Sequence, residues 1–272
     1  MRFQSVRDEL IRAACAESEY GTVKVEGVVA KDVINACSCI IQRMAFNGVE
    51  NVENVFTHTE NPKVKLLEVF DQKSLGGCLV FQSRELMGIM YALEHNKSEH
   101  IMLSAQELLD YLPKKFPEKY GREDVTASFS APPRFIREYL TKYGICTETD
   151  YPFIGRRSTE DEIKEVELLL KYKASRVIRT KNSPTREAFI LGEIQKYPLI
   201  GLLHSDNHLS ILKKGEIYEN GNGPNRHAVM ITGYGVVNGI PCYEIKNTWG
   251  NAWGKQWFWP DQKRCNACIF VF

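Results

Sequence analysis

The sequence predicts an α+β protein of two lobes on three observations. Helical apolar spacing dominates the first half, strand-like runs separated by turn residues dominate the second, and 272 residues suffice for two lobes sharing a cleft. Hydrophobic residues make up 43% and charged residues 25%, ordinary globular usage that excludes a disordered or fibrous chain. The formal net charge is +1 with acids and bases interspersed, so nothing offers a polyanion-binding surface and no nucleic-acid partner is expected. Charges interrupt the apolar positions of Met1–Tyr20, which therefore reads neither as a signal-peptide core nor as a membrane span. No membrane partner is expected, and the expected location is cytoplasmic.

Taken in order, residues Thr22 to Val29 alternate like a strand, and Asp32 caps a helix reaching about Phe46, closed by Asn47-Gly48. From Cys78 to about His95, Leu79, Leu86, Met87, Met90 and Leu93 recur at helical spacing. The Gly76-Gly77 turn places Cys78 at the start of that helix. Ser104 with Glu107 three residues on has the pattern of a capping box, and Pro113 is expected to end the helix it opens. A third helix spans about Pro133 to Tyr143 and stops at Gly144, and a charged linker of helical character follows from Thr159 to Lys173. The texture then changes: a helix over Thr185 to Tyr197 precedes the strand-like runs LIGLL, HAVMITGYGV, PCYEIKN and CIFVF.

Cysteine chemistry draws attention to Cys78. A thiolate attacks carbonyls well, but a free thiol is mostly protonated at neutral pH and needs a base, a helix N-terminus or both. The turn before Cys78 supplies the second, because the NH groups of a first helical turn are unpaired and favour an anion. Three segments, around Cys78, His227 and Asn247, carry further motifs. Asp71-Gln72-Lys73-Ser74-Leu75-Gly76-Gly77-Cys78 resembles the Q-x-S-C-G-S-C-W-A-F block of the papain family. Asn225-Arg226-His227-Ala228-Val229, followed by Thr232-Gly233-Tyr234-Gly235, resembles its N-H-A-V…V-G-Y-G strand. Lys246-Asn247-Thr248-Trp249-Gly250, then Trp253-Gly254, resembles its K-N-S-W-G…W-G segment. Three separated motifs in the right order make the likeness specific, and it extends over about Val69 to Phe272.

The resemblance implies a helical lobe carrying Cys78 and a barrel-like lobe carrying His227 and Asn247, with the substrate cleft between. It implies that Cys78 is the nucleophile, that His227 is the base and later the acid, and that Asn247 orients the imidazole. Gln72 and the backbone NH of Cys78 would form the oxyanion hole. Trp249 would shield the histidine, and Ala228 would floor a substrate pocket. Residues 1–65 are then an N-terminal extension, unlike the family's usual pro-segment and a candidate surface for a protein partner, and residues 66–272 the catalytic domain. The expected activity is peptide-bond hydrolysis by a cysteine endopeptidase acting on protein or peptide substrates, with no cofactor and no metal. Two alternatives stay open: an enzyme of the same fold acting on an unusual acyl group, and an idle binding module. Retention of Gln72, Cys78, His227 and Asn247 argues against the module.

Several positions depart from the family. Leu75 and Tyr111 stand where it has half-cystines, a concerted loss that suits a reducing compartment. Its D-W-R pattern is missing from Met1–Phe70, and Leu79 replaces the tryptophan after the nucleophile. Ser130-Ala131-Pro132-Pro133 stands near the place of its C-N-G-G substrate wall, after a longer Lys114–Phe129 segment, and proline has no NH to pair with an extended peptide. Arg226 sets a cation before His227. Cys265 and Cys268 form half of a zinc-site pattern, for which His204 and His208 are the available second half, but a structural site needs four convergent ligands.

Overall fold

The computed structural model describes residues 52–271 apart from 60, 62, 65, 121–128, 167–168, 176–177, 180–185, 213–216, 220–222, 224, 238–239, 252, 254 and 260–269. The strand expected at Thr22–Val29, the helix expected at Asp32–Phe46 and the Cys265/Cys268 pair lie outside the described residues.

Four helices build the first lobe: α1 (Cys78–Glu94), α2 (Ala105–Lys115), α3 (Pro117–Tyr120) and α4 (Pro133–Lys142). α1 starts at Cys78, where the Gly-Gly turn predicts it. Its first three turns are almost wholly buried, charged Arg84 and Glu85 included, as befits a helix covered on all sides. Gly88 lets α1 touch the chain at Ile101, since a Cβ there would lie 2.1 Å from the Ile101 carbonyl oxygen. The core around these helices gathers Phe81, Leu86, Leu108, Leu109, Leu112, Ile136 and Leu140.

Three expectations about this lobe need correction. Pro113 does not end α2, which runs two residues further to Lys115. So close to the C-terminus, proline forfeits a single backbone hydrogen bond, and Phe116 NH still reaches the Leu112 carbonyl at 3.0 Å. The capping box at Ser104 is only half formed. Its hydroxyl accepts from Glu107 NH at 3.0 Å, but Glu107 turns inward to accept from Tyr139 OH and Cys146 NH, both at 2.8 Å, and to pair with Lys171 at 2.5 Å. Among its described residues the charged linker is not an α-helix, and Glu160–Glu162 forms a single 3₁₀ turn. Near its end, Tyr172 exchanges backbone hydrogen bonds with Ile145 in both directions, at 2.8 and 3.0 Å, and that pairing holds the segment extended.

The second lobe is one sheet. β1 (Val52–Thr57), β2 (Ile178–Arg179), β3 (Leu199–Ser205), β4 (Ile217–Glu219), β5 (Asn225–Val237), β6 (Ile240–Lys246), β7 (Lys255–Trp259) and β8 (Phe270–Val271) form it. The order is β2-β8-β3-β5-β6-β7-β4, with β1 antiparallel along β5. α5 (Arg186–Ile194) and α6 (Asn207–Ile211) accompany it. β1 lies upstream of the boundary at residue 66 expected from the sequence, so the sheet draws on residues before it.

Side-chain alternation divides β3 and β5 into two faces. Leu199, Leu203, Val229 and Ile231 pack into the core of the sheet lobe, whereas Ile200, Leu202, Ala228 and Met230 pack against the helical lobe. The seam between the lobes therefore runs along β5, which carries His227.

Candidate active site

The site begins at the N-terminus of α1. Its cap, Gly77, offers no side chain to the first-turn NH groups. The Cys78 sulfur fills part of that gap, with the NH groups of Cys78 and Leu79 as hydrogen-bond donors to it. A third donor comes from the other lobe: Ala228 NH points at Cys78 Sγ from 3.3 Å. Burial pushes the thiol up, and these three NH groups pull the other way.

His227 and Asn247 meet from β5 and the end of β6. His227 Nε2 lies 2.6 Å from Asn247 Oδ1, which also accepts from Thr248 NH at 2.8 Å. An oxygen that already accepts one NH fixes the amide orientation, so Nε2 donates and Nδ1 is the bare nitrogen of the neutral ring. Trp249 covers the imidazole with its ring centroid 4.5 Å away, and Trp253 closes edge-on behind it. Asn247 is completely buried.

Gln72 is held beside this pair. Its NH and the Thr248 carbonyl bond at 2.8 Å, its Oε1 accepts from Thr248 OH at 2.5 Å, and its Nε2 donates to Leu75 O at 2.9 Å. One of the two amide hydrogens is thereby used, and one is left to donate. Leu75, in place of a half-cystine, contributes its carbonyl, while Tyr111 is buried with its hydroxyl donating to Lys164 O at 2.6 Å. Of the residues singled out from sequence, Cys78, His227, Ala228, Asn247, Trp249 and Gln72 are thus linked by contacts through neighbouring residues. Arg226 is exposed, so its guanidinium is not buried beside His227. His204 and His208 belong to no group of three or more His, Cys, Asp or Glu arranged to hold a metal among the described residues.

Sequence reasoning missed the residues that hold the two lobes in register. Gln82 Nε2 donates to Lys246 O at 3.0 Å, and one turn on, Glu85 takes the Lys246 ammonium at 2.5 and 2.6 Å, with both side chains buried. Glu85 also accepts from Leu67 NH at 3.0 Å. Because α1 begins at Cys78 and Asn247 follows Lys246, this clamp ties the helix that starts at the thiol to the strand that ends before Asn247. The available signal was polar Gln82 and Glu85 at i, i+3 on a helix with no solvent face.

Burial holds His227 down, to about 4, against the hydrogen bond it donates to Asn247, which raises it. His58, wholly buried with its ring bonded to the Ile194 carbonyl, is also lowered by burial. Both rings bind protons more readily when unfolded, so their contribution to stability is complete above pH 6.5, the ordinary histidine value, and is lost below it, for His227 as pH falls towards 4. The loss attributable to His227 is on the order of 3 kcal/mol. Urea midpoints at pH 7 and pH 4.5 test this: His227→Gln and His58→Leu each shrink the pH-dependent drop, and variants that fall as steeply as the parent contradict it.

A helical lobe and a sheet lobe that meet along β5 define a papain-type fold. The chain belongs to the papain family of cysteine proteases, whose family model matches residues 53–270. It is similar to the viral cathepsin of Lymantria dispar multicapsid nuclear polyhedrosis virus, 28% identical over 212 residues that cover 76% of this chain and 54% of that protein. It is also similar to a cysteine protease of Blomia tropicalis, 25% identical over 195 residues covering 71% and 56%. The chain thus spans about half the length of the curated relatives it matches. Among solved structures, the procathepsin L2 proteinase of Tenebrio molitor larval midgut superposes with a TM-score of 0.64 at 19% identity, covering 85% of this chain and 71% of the neighbour. The bromelain protease of Ananas comosus gives 0.59 at 18% identity, covering 76% and 93%.

Proposed function

We propose that the chain is a cysteine endopeptidase that cleaves peptide bonds through Cys78, His227 and Asn247. The observation that carries this reading is the contact of Ala228 NH with Cys78 Sγ at 3.3 Å, which sets the sulfur against the strand of a histidine already bonded to Asn247 at 2.6 Å. His227 Nδ1 takes the thiol proton as sulfur attacks the scissile carbonyl, and the Asn247 bond keeps the ring in the tautomer that can do so. Burial keeps thiol and imidazole each neutral when alone, so they charge together, by transfer of one proton between them. The developing oxyanion is met by the Cys78 NH and the remaining Gln72 amide hydrogen. His227 then returns the proton to the leaving amine, and water, deprotonated by the same ring, releases the acid from the thioester.

One observation favours a second reading, hydrolysis of an unusual acyl group by the same residues. Pro132 caps α4 and Pro133 opens it, so that in the Ser130–Pro133 segment only Ser130 and Ala131 retain NH groups to pair with an extended peptide. Incubation with a diverse peptide library, read by mass spectrometry beside Cys78→Ala, separates the two. Cleavage within peptides by the parent alone supports the endopeptidase. Intact peptides throughout reject it in favour of the acyl substrate.

A further inference from the structure

The two-faced geometry of β3 and β5 carries one step more. On the face turned to the helical lobe, Leu202 pairs with Ala228, and the next cross-strand pair outward is His204 with Arg226. The Ala228 pair marks the point where the sulfur of Cys78 meets the sheet. A two-residue step along a strand is about 7 Å, so Arg226 lies that far past the nucleophile on the same face. Here burial ends: Ala228 is fully buried, Leu202 and His204 are partly so, and Arg226 is exposed. The face leaves the contact between lobes and opens to solvent at Arg226.

Arg226 brings a cation to this exposed position. The Arg226 guanidinium makes no ion pair or hydrogen bond among the described residues. Asp206, two residues beyond His204, accepts through Oδ1 from His208 NH at 3.0 Å, Leu209 NH at 3.3 Å and Tyr218 OH at 3.1 Å and forms no ion pair with Arg226 among the described residues. His204 Nδ1 donates to the Gly223 carbonyl at 3.2 Å, which leaves Nε2 as its second polar atom. A guanidinium fork directly across the strand from an imidazole suits a planar carboxylate.

We propose that Arg226, assisted by His204, binds the carboxylate of an Asp or Glu immediately after the scissile bond, making the pair specificity-determining for the leaving side of the substrate. The inference rests on the peptidase reading. The side follows from the order along β5: Ala228 adjoins the sulfur that takes the acyl carbon, His227 protonates the leaving nitrogen, and Arg226 lies beyond it.

The test takes the peptide that the parent chain cleaves best and resynthesises it with Glu, Gln or Lys after the scissile bond. The expected result is about a tenfold preference in kcat/KM for Glu over Gln, the scale of one charge-assisted hydrogen bond, with Lys poorer still. Arg226→Glu should invert the order to Lys over Gln over Glu, and His204→Gln should narrow the preference without inverting it. Equal cleavage of the three peptides, or an order that Arg226→Glu leaves unchanged, overturns the proposal while leaving the peptidase reading intact. If no peptide is cleaved, the peptidase reading is the one that fails, and Cys78 alkylation still judges the cation. The rate ratio of anionic iodoacetate to neutral iodoacetamide should fall severalfold in Arg226→Glu, and an unchanged ratio rejects a guanidinium at the cleft mouth.

Discussion

His227→Ala is expected to lower kcat for peptide hydrolysis by about 10⁴-fold or more, the scale seen when the base of a catalytic triad is removed. Burial pushes the Cys78 thiol up, and in the mechanism proposed above His227 is the group that takes its proton. Asn247→Ala should have the same sign and a smaller size, since the imidazole remains but loses its 2.6 Å bond and fixed tautomer. Steady-state turnover by mass spectrometry, with iodoacetamide labelling of Cys78 alongside, reads both effects. A His227→Ala chain within tenfold of the parent would show that another group supplies the base.

Breaking the Glu85–Lys246 pair is the second large effect. Glu85→Leu leaves a buried ammonium without its counter-charge, and removing one partner of such a pair costs about 3–5 kcal/mol. Lys246→Met is milder, because Glu85 retains the Leu67 NH. The double variant Glu85→Leu/Lys246→Met should recover most of the loss, as apolar replacements of buried pairs often do. Urea unfolding of the four proteins closes the cycle. Losses under about 1 kcal/mol in both single variants would place the pair among weak surface bridges.

The two effects differ in how far the sequence reveals them. Cys78 was legible because a Gly-Gly turn and helical apolar spacing are local signals, and α1 starts where they predict. His227 and Asn247 were legible through motif likeness, and the alternation HAVMITGYGV marks β5 at once. Glu107 was misread because its spacing from Ser104 fits a local cap, while its partners Tyr139, Cys146 and Lys171 come from three other segments. The Thr159–Lys173 linker failed for the same reason: charge spacing suggests a helix, and backbone pairing with Ile145 overrides it. Glu85 and Lys246 lie 161 positions apart, and no local pattern announces a partner at that range. What eluded the sequence was chiefly which buried polar group finds which distant partner.

The pairing of β1 with β5 bears on the order in which the chain acquires structure. Val52 lies opposite Val237, whereas helices α1 to α4 all fall between residues 78 and 142. Contacts between close neighbours close small loops at little entropic cost, and distant pairings wait for the intervening chain to be arranged. On the ribosome, the helical lobe can begin to condense while β5 is still unmade, and β1, translated earlier, stays without its partner until that strand emerges. Newly made chains should therefore fold around Cys78 before His227 has a strand to sit on.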